Sequence, residues 1–416
     1  MSSILLQPIS SYDAGLALDH LPRLIYVGDV AVESTVAGST LLYRLLQKYP
    51  DNRLRIAEGN LKSSRPDKRL PGVKYDEFRV GIERLLRTRF HSLYSSALHL
   101  TATGRTRKLN RVCEDFMPEA ILTVAHGYSW LTAALLARKL GLPLHLVVHD
   151  DLVSVQKSVL PASIFKRVER AFGEVYRQAE SRLCASPYMA EDFAGKYGAA
   201  GTALYPSRAS DVPEFTQLPN IRAGRNDLVF AFAGTINSRG YADSLATLAS
   251  VLENVGGGLI VYSNLTVDGI KDCGLDRSNV TVRPIMPFKE LLERLRRDVD
   301  VLFVPMSFAR EEARNMKLAF PSKLADYTAA GLPLLIWGPP YCSAVRWAHE
   351  NTGVAEIVDQ PETEALAASI IRLRNDAPYR YRLAETALTK GREFFAHEVA
   401  IEKFYRSICT IYSEPK

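Results

Sequence analysis

Residues 320–338 read FPSKLADYTAAGLPLLIWG, and the fold is decided by how this stretch is parsed. Pro321 and Ser322 are helix-start signals, the serine as N-cap or the proline at the first helical position, while Gly331 followed by Pro333 is a stop signal. The spacing predicts a helix of about three turns, succeeded at once by an apolar run that reads as a buried strand. The first N–H groups of such a helix have no intrahelical acceptor and carry the positive end of its dipole. A phosphate placed there gains hydrogen bonds and field together. Lys323 adds a mobile cation in the same turn. Asp326 shares its face one turn deeper, where a carboxylate can accept from the vicinal hydroxyls of a sugar. The plain alternative is an ordinary αβ unit with a solvated lysine and aspartate.

Working outward, apolar runs alternate with amphipathic ones along the whole chain, which implies parallel sheets with crossover helices. Strands are expected at 23–30, 53–57, 73–80, 120–125, 144–149, 181–185 and 203–205, with helices at 39–49, 130–140, 164–179 and 187–197. Residues 206–227, PSRASDVPEFTQLPNIRAGRND, carry three prolines and no apolar period, so they read as an interdomain linker. A second series follows with strands at 228–233, 259–262, 280–284, 299–304, 334–337 and 355–358, and a helical segment spans 392–412. The expected class is α/β: two Rossmann-like, doubly wound domains facing a cleft between the carboxyl ends of their strands. The expected boundaries are 1–207, 208–391 and a terminal helix at 392–416.

Composition fits that organisation. A chain of 416 residues suits two cores, and 47% apolar with 24% charged residues is ordinary globular usage. No apolar run approaches the roughly 20 residues of a membrane span, and the first residues lack a basic segment leading into an apolar one, so a cytoplasmic location is expected. Cys113, Cys184, Cys273, Cys342 and Cys409 are widely spaced, which suggests neither a zinc site nor a disulfide framework but reduced, buried thiols. The net charge of +6 is uneven: residues 59–111 hold thirteen Lys plus Arg against four Asp plus Glu, leaving the remainder near −3. Within them, GIERLLRTRFHSLYSSALHL places Ile82, Leu85, Leu86, Phe90 and Leu93 at helical spacing with Arg84, Arg87 and Arg89 interleaved. Such a helix suits either an anionic membrane surface, with the protein peripheral to the inner face, or a core contact with a solvated arginine face. Nucleic acid is not an expected partner, because aromatic interleaving and recognised motifs are absent.

The run PSKLADYTAAGLPLL resembles the donor-binding motif of GT-B glycosyltransferases, in particular the large retaining group called family 4. The resemblance implies a nucleotide sugar bound as co-substrate in the second domain, an acceptor in the first, and no separate cofactor or obligatory metal. In that family an acidic residue five positions before the glycine of the A-x-G-x-P segment binds the ribose. Here it is Asp326. A second acid usually stands eight residues earlier, where this chain has Leu318, so Lys317, Ser322 or backbone amides are left to meet the transferred sugar. Pro321, Ser322 and Lys323 supply the phosphate end. In VAGST at 36–40, Gly38 is half of the glycine pair common after the first strand, and a tight loop without a ligand is the alternative. In FAGTINSRG at 232–240, Gly234 matches the family, Thr235 replaces an arginine, and Arg239 stands in for a diphosphate lysine, one residue closer to Gly234 than usual.

His126, in LTVAHGYSW, matches a family histidine that faces the cleft and hydrogen-bonds the transferring sugar; His149, in VVHDD, is the second choice. Asp298 and Asp300 spell D-V-D, the metal motif of a different glycosyltransferase fold, and read here as a strand entry. The charged residues Arg310, Glu311, Glu312, Arg314 and Lys317 read as a loop closing over the donor or as a solvated lid. The implied activity is transfer of a hexosyl-type group to a saccharide or lipid-linked acceptor with retention of configuration, in the assembly of cell-surface polysaccharide or lipopolysaccharide. The departures at Leu318 and Thr235 leave two alternatives: a non-catalytic protein that binds a nucleotide sugar, or another GT-B enzyme such as an inverting transferase or an epimerase.

Overall fold

A computed structural model describes residues 21–35, 37–219, 227–236 and 238–409. Val36, Asn237 and parts of the expected linker (220–226) and terminal helix (410–412) lie outside the described residues. The first sheet contains β1 Leu24–Gly28, β2 Leu54–Gly59, β3 Lys74–Phe78, β4 Ala120–Val124, β5 Leu144–Val148, β6 Ser181–Cys184 and β7 Thr202–Ala203. The second contains β8 Leu228–Ala233, β9 Gly257–Tyr262, β10 Val280–Arg283, β11 Val301–Pro305, β12 Leu334–Trp337 and β13 Glu356–Val358. Every pairing in both is parallel. The orders β3-β2-β1-β4-β5-β6-β7 and β10-β9-β8-β11-β12-β13 each reverse direction once, between β1 and β4 and between β8 and β11. At these two points successive crossovers leave on opposite faces, so a crevice opens beyond the strand ends.

Strands buried on both faces read as continuous apolar runs, and these do. Ile25 and Val27 of β1 point into one core, whereas Leu24 and Tyr26 point into the core on the other face. In the second sheet, Ala231 and Phe232 of β8 divide in the same way.

The chain passes between lobes twice. After β7 the linker brings in Arg208, which is 5% exposed and reaches the Ala325 carbonyl and Thr328 hydroxyl of the second lobe. The return lies at Ala396, whose extended backbone ends the helix Ala377–Phe395. The expected helix over 392–412 is therefore two helices: residues 392–395 close the preceding one, and His397–Cys409 forms another. Ala400, Ile401, Phe404, Tyr405 and Ile408 of that last helix sit in the first lobe's core beside Leu24, Tyr26 and Leu122.

Two sequence expectations need correction. Cys113, Cys184 and Cys342 are buried free thiols, but Cys273 and Cys409 are only half-buried. The basic segment is not one helix either. It forms Glu83–Leu86 and His91–Leu100, separated by a turn, and Ile82, Leu85, Phe90 and Leu93 stay exposed.

Candidate active site at the facing strand ends

The donor-side wall is built at the reversal between β8 and β11. Tyr327 anchors it, its hydroxyl accepting from the Ala233 amide at 2.7 Å. The next residue, Gly234, turns the chain with φ +145°, a region that only glycine occupies readily. A Cβ built there would stand 2.6 Å from Lys323 Cε, so the glycine is what lets the lysine lie against the loop.

Lys323 is the cation of this site. Its ammonium lies 4.8 Å from the Phe232 ring centroid and 5.7 Å from that of Tyr241, and among the described residues it has no ion-pair partner. Burial pulls its pKa down to about 8, against an opposing pull from Asp326. Burial likewise pushes the Tyr241 phenol up to about 12, with Glu312 and Asp150 adding to the rise. Glu312 accepts from Ser238 Oγ at 3.1 Å, which ties the β11 loop to the cap of the helix Arg239–Val255.

The segment 320–331 departs from the expected three-turn helix. Its α-helical part is Lys323–Tyr327. The following turn tightens through bonds from Ala329 to Asp326 and Ala330 to Tyr327, before Gly331 at φ +63°. Ser322 has helical backbone angles and caps nothing with its side chain. The amides of Leu324 and Ala325 are satisfied by the Pro321 and Ser322 carbonyls. Those of Ser322 and Lys323 have no acceptor among the described residues. The half-buried Pro321 shapes the approach to them.

Other expected residues lie elsewhere. Arg239 is 76% exposed, pairs with Asp243 at 2.9 Å and donates to the Asp272 carbonyl, so it is turned out from the Gly234 loop. Thr235 is exposed beside Gly234. Asp326 forms an ion pair with Arg44 of the helix Ala37–Leu46 at 3.0 Å, through Oδ1 alone. Arg44 is 8% exposed in its side chain and also donates to the Ser207 carbonyl. Asp298 pairs with Arg297 and Arg283, and the buried Asp300 accepts the Val229 amide, so both carboxylates serve the strand entry.

Leu318, where the resembled family carries an acid, is fully buried in the first lobe's core cluster, and its carbonyl accepts from Ser186 Oγ at 2.8 Å. Burying a leucine there contributes roughly 2 kcal/mol, and an unpaired carboxylate in its place would cost several. The charged segment before it is solvated only at its start, where Arg310 and Glu311 are exposed. Arg314 grips Asp151 and bonds Asp192 at 3.0 Å, and Lys317 bonds the other oxygen of Asp192 at 3.0 Å. Four charged groups thus clasp the two lobes.

The opposite wall lies at the reversal between β1 and β4. Asp29, buried after β1, accepts the Tyr128 and Ser129 amides at 2.5 and 2.7 Å and the Ser129 hydroxyl at 2.6 Å. This holds the turn His126-Gly127 after β4, where Gly127 at φ +60° leaves room for the Asp29 carboxylate. His126 is exposed at that turn, whereas His149, after β5, is held below the usual imidazole range by burial and by His126, against the pull of Asp150. Gly38, in the first turn of Ala37–Leu46, is exposed, and an added Cβ would meet open space. Sequence reading missed Asp29 and Tyr241, and it gave Phe232 and Glu312 no contact of their own. Only the position of Asp29 straight after a strand was a usable signal.

Two sheets with these orders, joined across facing strand ends and closed by a returning helix, define the GT-B fold. The chain is similar over 94% of its length to HepE of Anabaena, solved with UDP and glucose, at 12% identity, covering 100% of that chain with a TM-score of 0.64. It is similar over 94% to sucrose-phosphate synthase of Thermosynechococcus elongatus, at 13% identity, covering 99% of that chain with a TM-score of 0.64. The trehalose 6-phosphate synthase of Burkholderia multivorans matches 94% of this chain and 97% of its own at 14% identity, with a TM-score of 0.63. No protein-family model and no curated relative matches the sequence.

The role of Gly234 is open to direct test. Gly234→Ala is expected to add about 1–3 kcal/mol of backbone strain. By pushing the lysine aside it should also cut any activity that depends on Lys323 by about a hundredfold. The melting temperature and the steady-state rate check this; an unchanged rate would remove the glycine from the site.

Proposed function

We infer that the protein is a glycosyltransferase that moves a sugar from a nucleotide-sugar donor, bound by the second lobe, to a saccharide or lipid-linked acceptor in the first. One observation carries the reading: the ammonium of Lys323, largely withdrawn from water and without an ion-pair partner among the described residues, lies against Phe232 and Tyr241 at the β8 strand end. A cation held this way is costly until an anion arrives, and a diphosphate supplies one. The solved structures of HepE with UDP support the choice of ligand class. Asp326, oriented by Arg44 through Oδ1, keeps Oδ2 for a ribose hydroxyl.

In the reaction the anomeric C–O bond to the diphosphate breaks, and an acceptor oxygen forms the new bond. The acceptor's proton passes to the departing phosphate oxygen. Lys323 and the Ser322 and Lys323 amides stabilise the charge developing on that oxygen, a role that needs no metal ion. His126 hydrogen-bonds the transferring sugar from the opposite wall. Attack from the face the diphosphate leaves gives retention. A hexosyl donor and a place in cell-surface glycan assembly follow the family resemblance.

The test is thermal shift with UDP, GDP, dTDP and CMP sugars, followed by the anomeric configuration of the product. A ligand at about a hundred times its dissociation constant stabilises by about 2.7 kcal/mol. One nucleotide class is expected to raise the melting temperature clearly. No shift with any of the four would end the donor reading, and an inverted product would end the retaining one.

A further inference from the structure

Among the described residues no helix is long and apolar enough to cross a membrane. Yet one surface of the first lobe is unlike the rest. Phe90 is 54% exposed, Leu93 68% and Leu100 53%, with Ile82 and Leu85 beside them, all on the short helices Glu83–Leu86 and His91–Leu100 or their edges. Exposed arginines alternate with them in sequence: Arg84, Arg87 and Arg89, followed by Arg107, Lys108 and Arg111 on the helix Ala102–Phe116. Between 81 and 111 the sole acid is Glu83, which is neutralised by Arg87 at 2.5 Å.

We propose that this face docks on an anionic lipid bilayer, its apolar side chains entering the headgroup boundary and its guanidinium groups meeting lipid phosphates. Two features favour this occupant. Arginine next to Leu85 and Phe90 mixes apolar and cationic groups as an interfacial surface does, where long cationic stems reach back to headgroups. A second copy of the chain would bring the same positive charge against itself, since residues 59–111 carry an excess of nine.

The underside of the patch is rigid and tied to the cleft. Ser95 Oγ lies 2.9 Å from the Tyr128 hydroxyl, His99 packs edge-on to the Tyr128 ring at 5.0 Å, and Arg105 donates to the Tyr128 carbonyl at 3.3 Å. Tyr128 follows His126 by two residues. Docking would hold the acceptor-side wall close to the bilayer, where a lipid-linked acceptor is presented. Membrane docking and donor binding engage different residues, so either can fail alone.

The experiment is co-sedimentation of the full chain with vesicles of phosphatidylcholine, with and without about one-third phosphatidylglycerol, at low and high salt. Binding to the anionic vesicles should exceed binding to the neutral ones by about tenfold or more and be largely released by salt. Phe90→Asp with Leu93→Asp, and separately Arg84→Glu with Arg89→Glu, should each weaken it by about tenfold or more with an unchanged melting temperature. These side chains are exposed, so folding is not at risk, and nucleotide-induced thermal shift should be unaltered. Absence of binding to anionic vesicles overturns the proposal, as does binding that both double variants retain. Self-association abolished by the Leu93→Asp change, without vesicle binding, assigns the face to a second copy instead.

Discussion

Lys323→Met should raise the melting temperature of the free protein while lowering glycosyl transfer by about a hundred- to a thousandfold, the effect of removing one donor aimed at developing negative charge. The two halves of this expectation have one cause. The ammonium lies against Phe232, Tyr241 and the Gly234 loop, and among the described residues no ion pair offsets its lost hydration. Methionine has a similar length and suits that lining better. The pH dependence follows the same logic, because burial holds the Lys323 pKa at about 8 against an ordinary 10.5. Below pH 8 the folded and unfolded chains both carry the proton, and the folded state bears the full penalty. Between about 8 and 10.5 the unfolded chain binds more protons than the folded one, so the wild type gains stability relative to Lys323→Met as pH rises. An arriving diphosphate reverses the balance by favouring the charged form. Donor affinity should therefore decline as pH climbs through about 8. Calorimetric titration with a nucleotide diphosphate at pH 7 and 9 reads this directly. A variant with normal turnover would dismiss Lys323 from the chemistry.

Asp326→Ala carries the second large effect, on stability first. It leaves Arg44, almost wholly buried, with the Ser207 carbonyl and the Phe288 ring at 5.8 Å as its remaining partners among the described residues. Removing one member of such a pair costs about 3 kcal/mol, since the surviving charge stays out of water. Arg44→Met breaks the same pair and should also destabilise, yet it leaves the carboxylate in place. The two variants part company on the ligand. Wild type and Arg44→Met should prefer a ribonucleoside diphosphate over its 2′,3′-dideoxy analogue, and Asp326→Ala should lose that preference. Equal discrimination in all three would confine Asp326 to joining the lobes.

Much of the fold was readable in advance. Each of the strands lies within two residues of its expected limits. Strands in a doubly covered parallel sheet are unbroken apolar runs, and prolines, glycines and polar loops mark their ends. Local chemistry also located the Gly234 loop and the Lys323 turn. What sequence could not reveal is pairing across the lobes. Arg44 and Asp326 are 282 residues apart, and nothing local to either names the other. The same holds for Arg314 with Asp192, and for Leu318, whose apolar character looked like a missing acid and proved to be a seat in the neighbouring core. Arg239 misled for a related reason: an arginine at a helix start has the right charge for phosphate, but a carboxylate one turn on, Asp243, claims it.

The helix His397–Cys409 fixes the order in which the molecule can be built. Its apolar face completes a core whose other walls are β1, β2 and β4, so the lobe translated first lacks a side until residues 397–409 have been made. The intervening lobe has its last core residues, Leu366, Ile370, Leu373, Leu383 and Phe395, before that helix is made, so it can settle while its elder neighbour waits with Leu24, Leu122 and Leu183 short of cover. Maturation thus runs against the direction of synthesis, and a premature stop just before His397 spoils the half of the protein that was translated long before it.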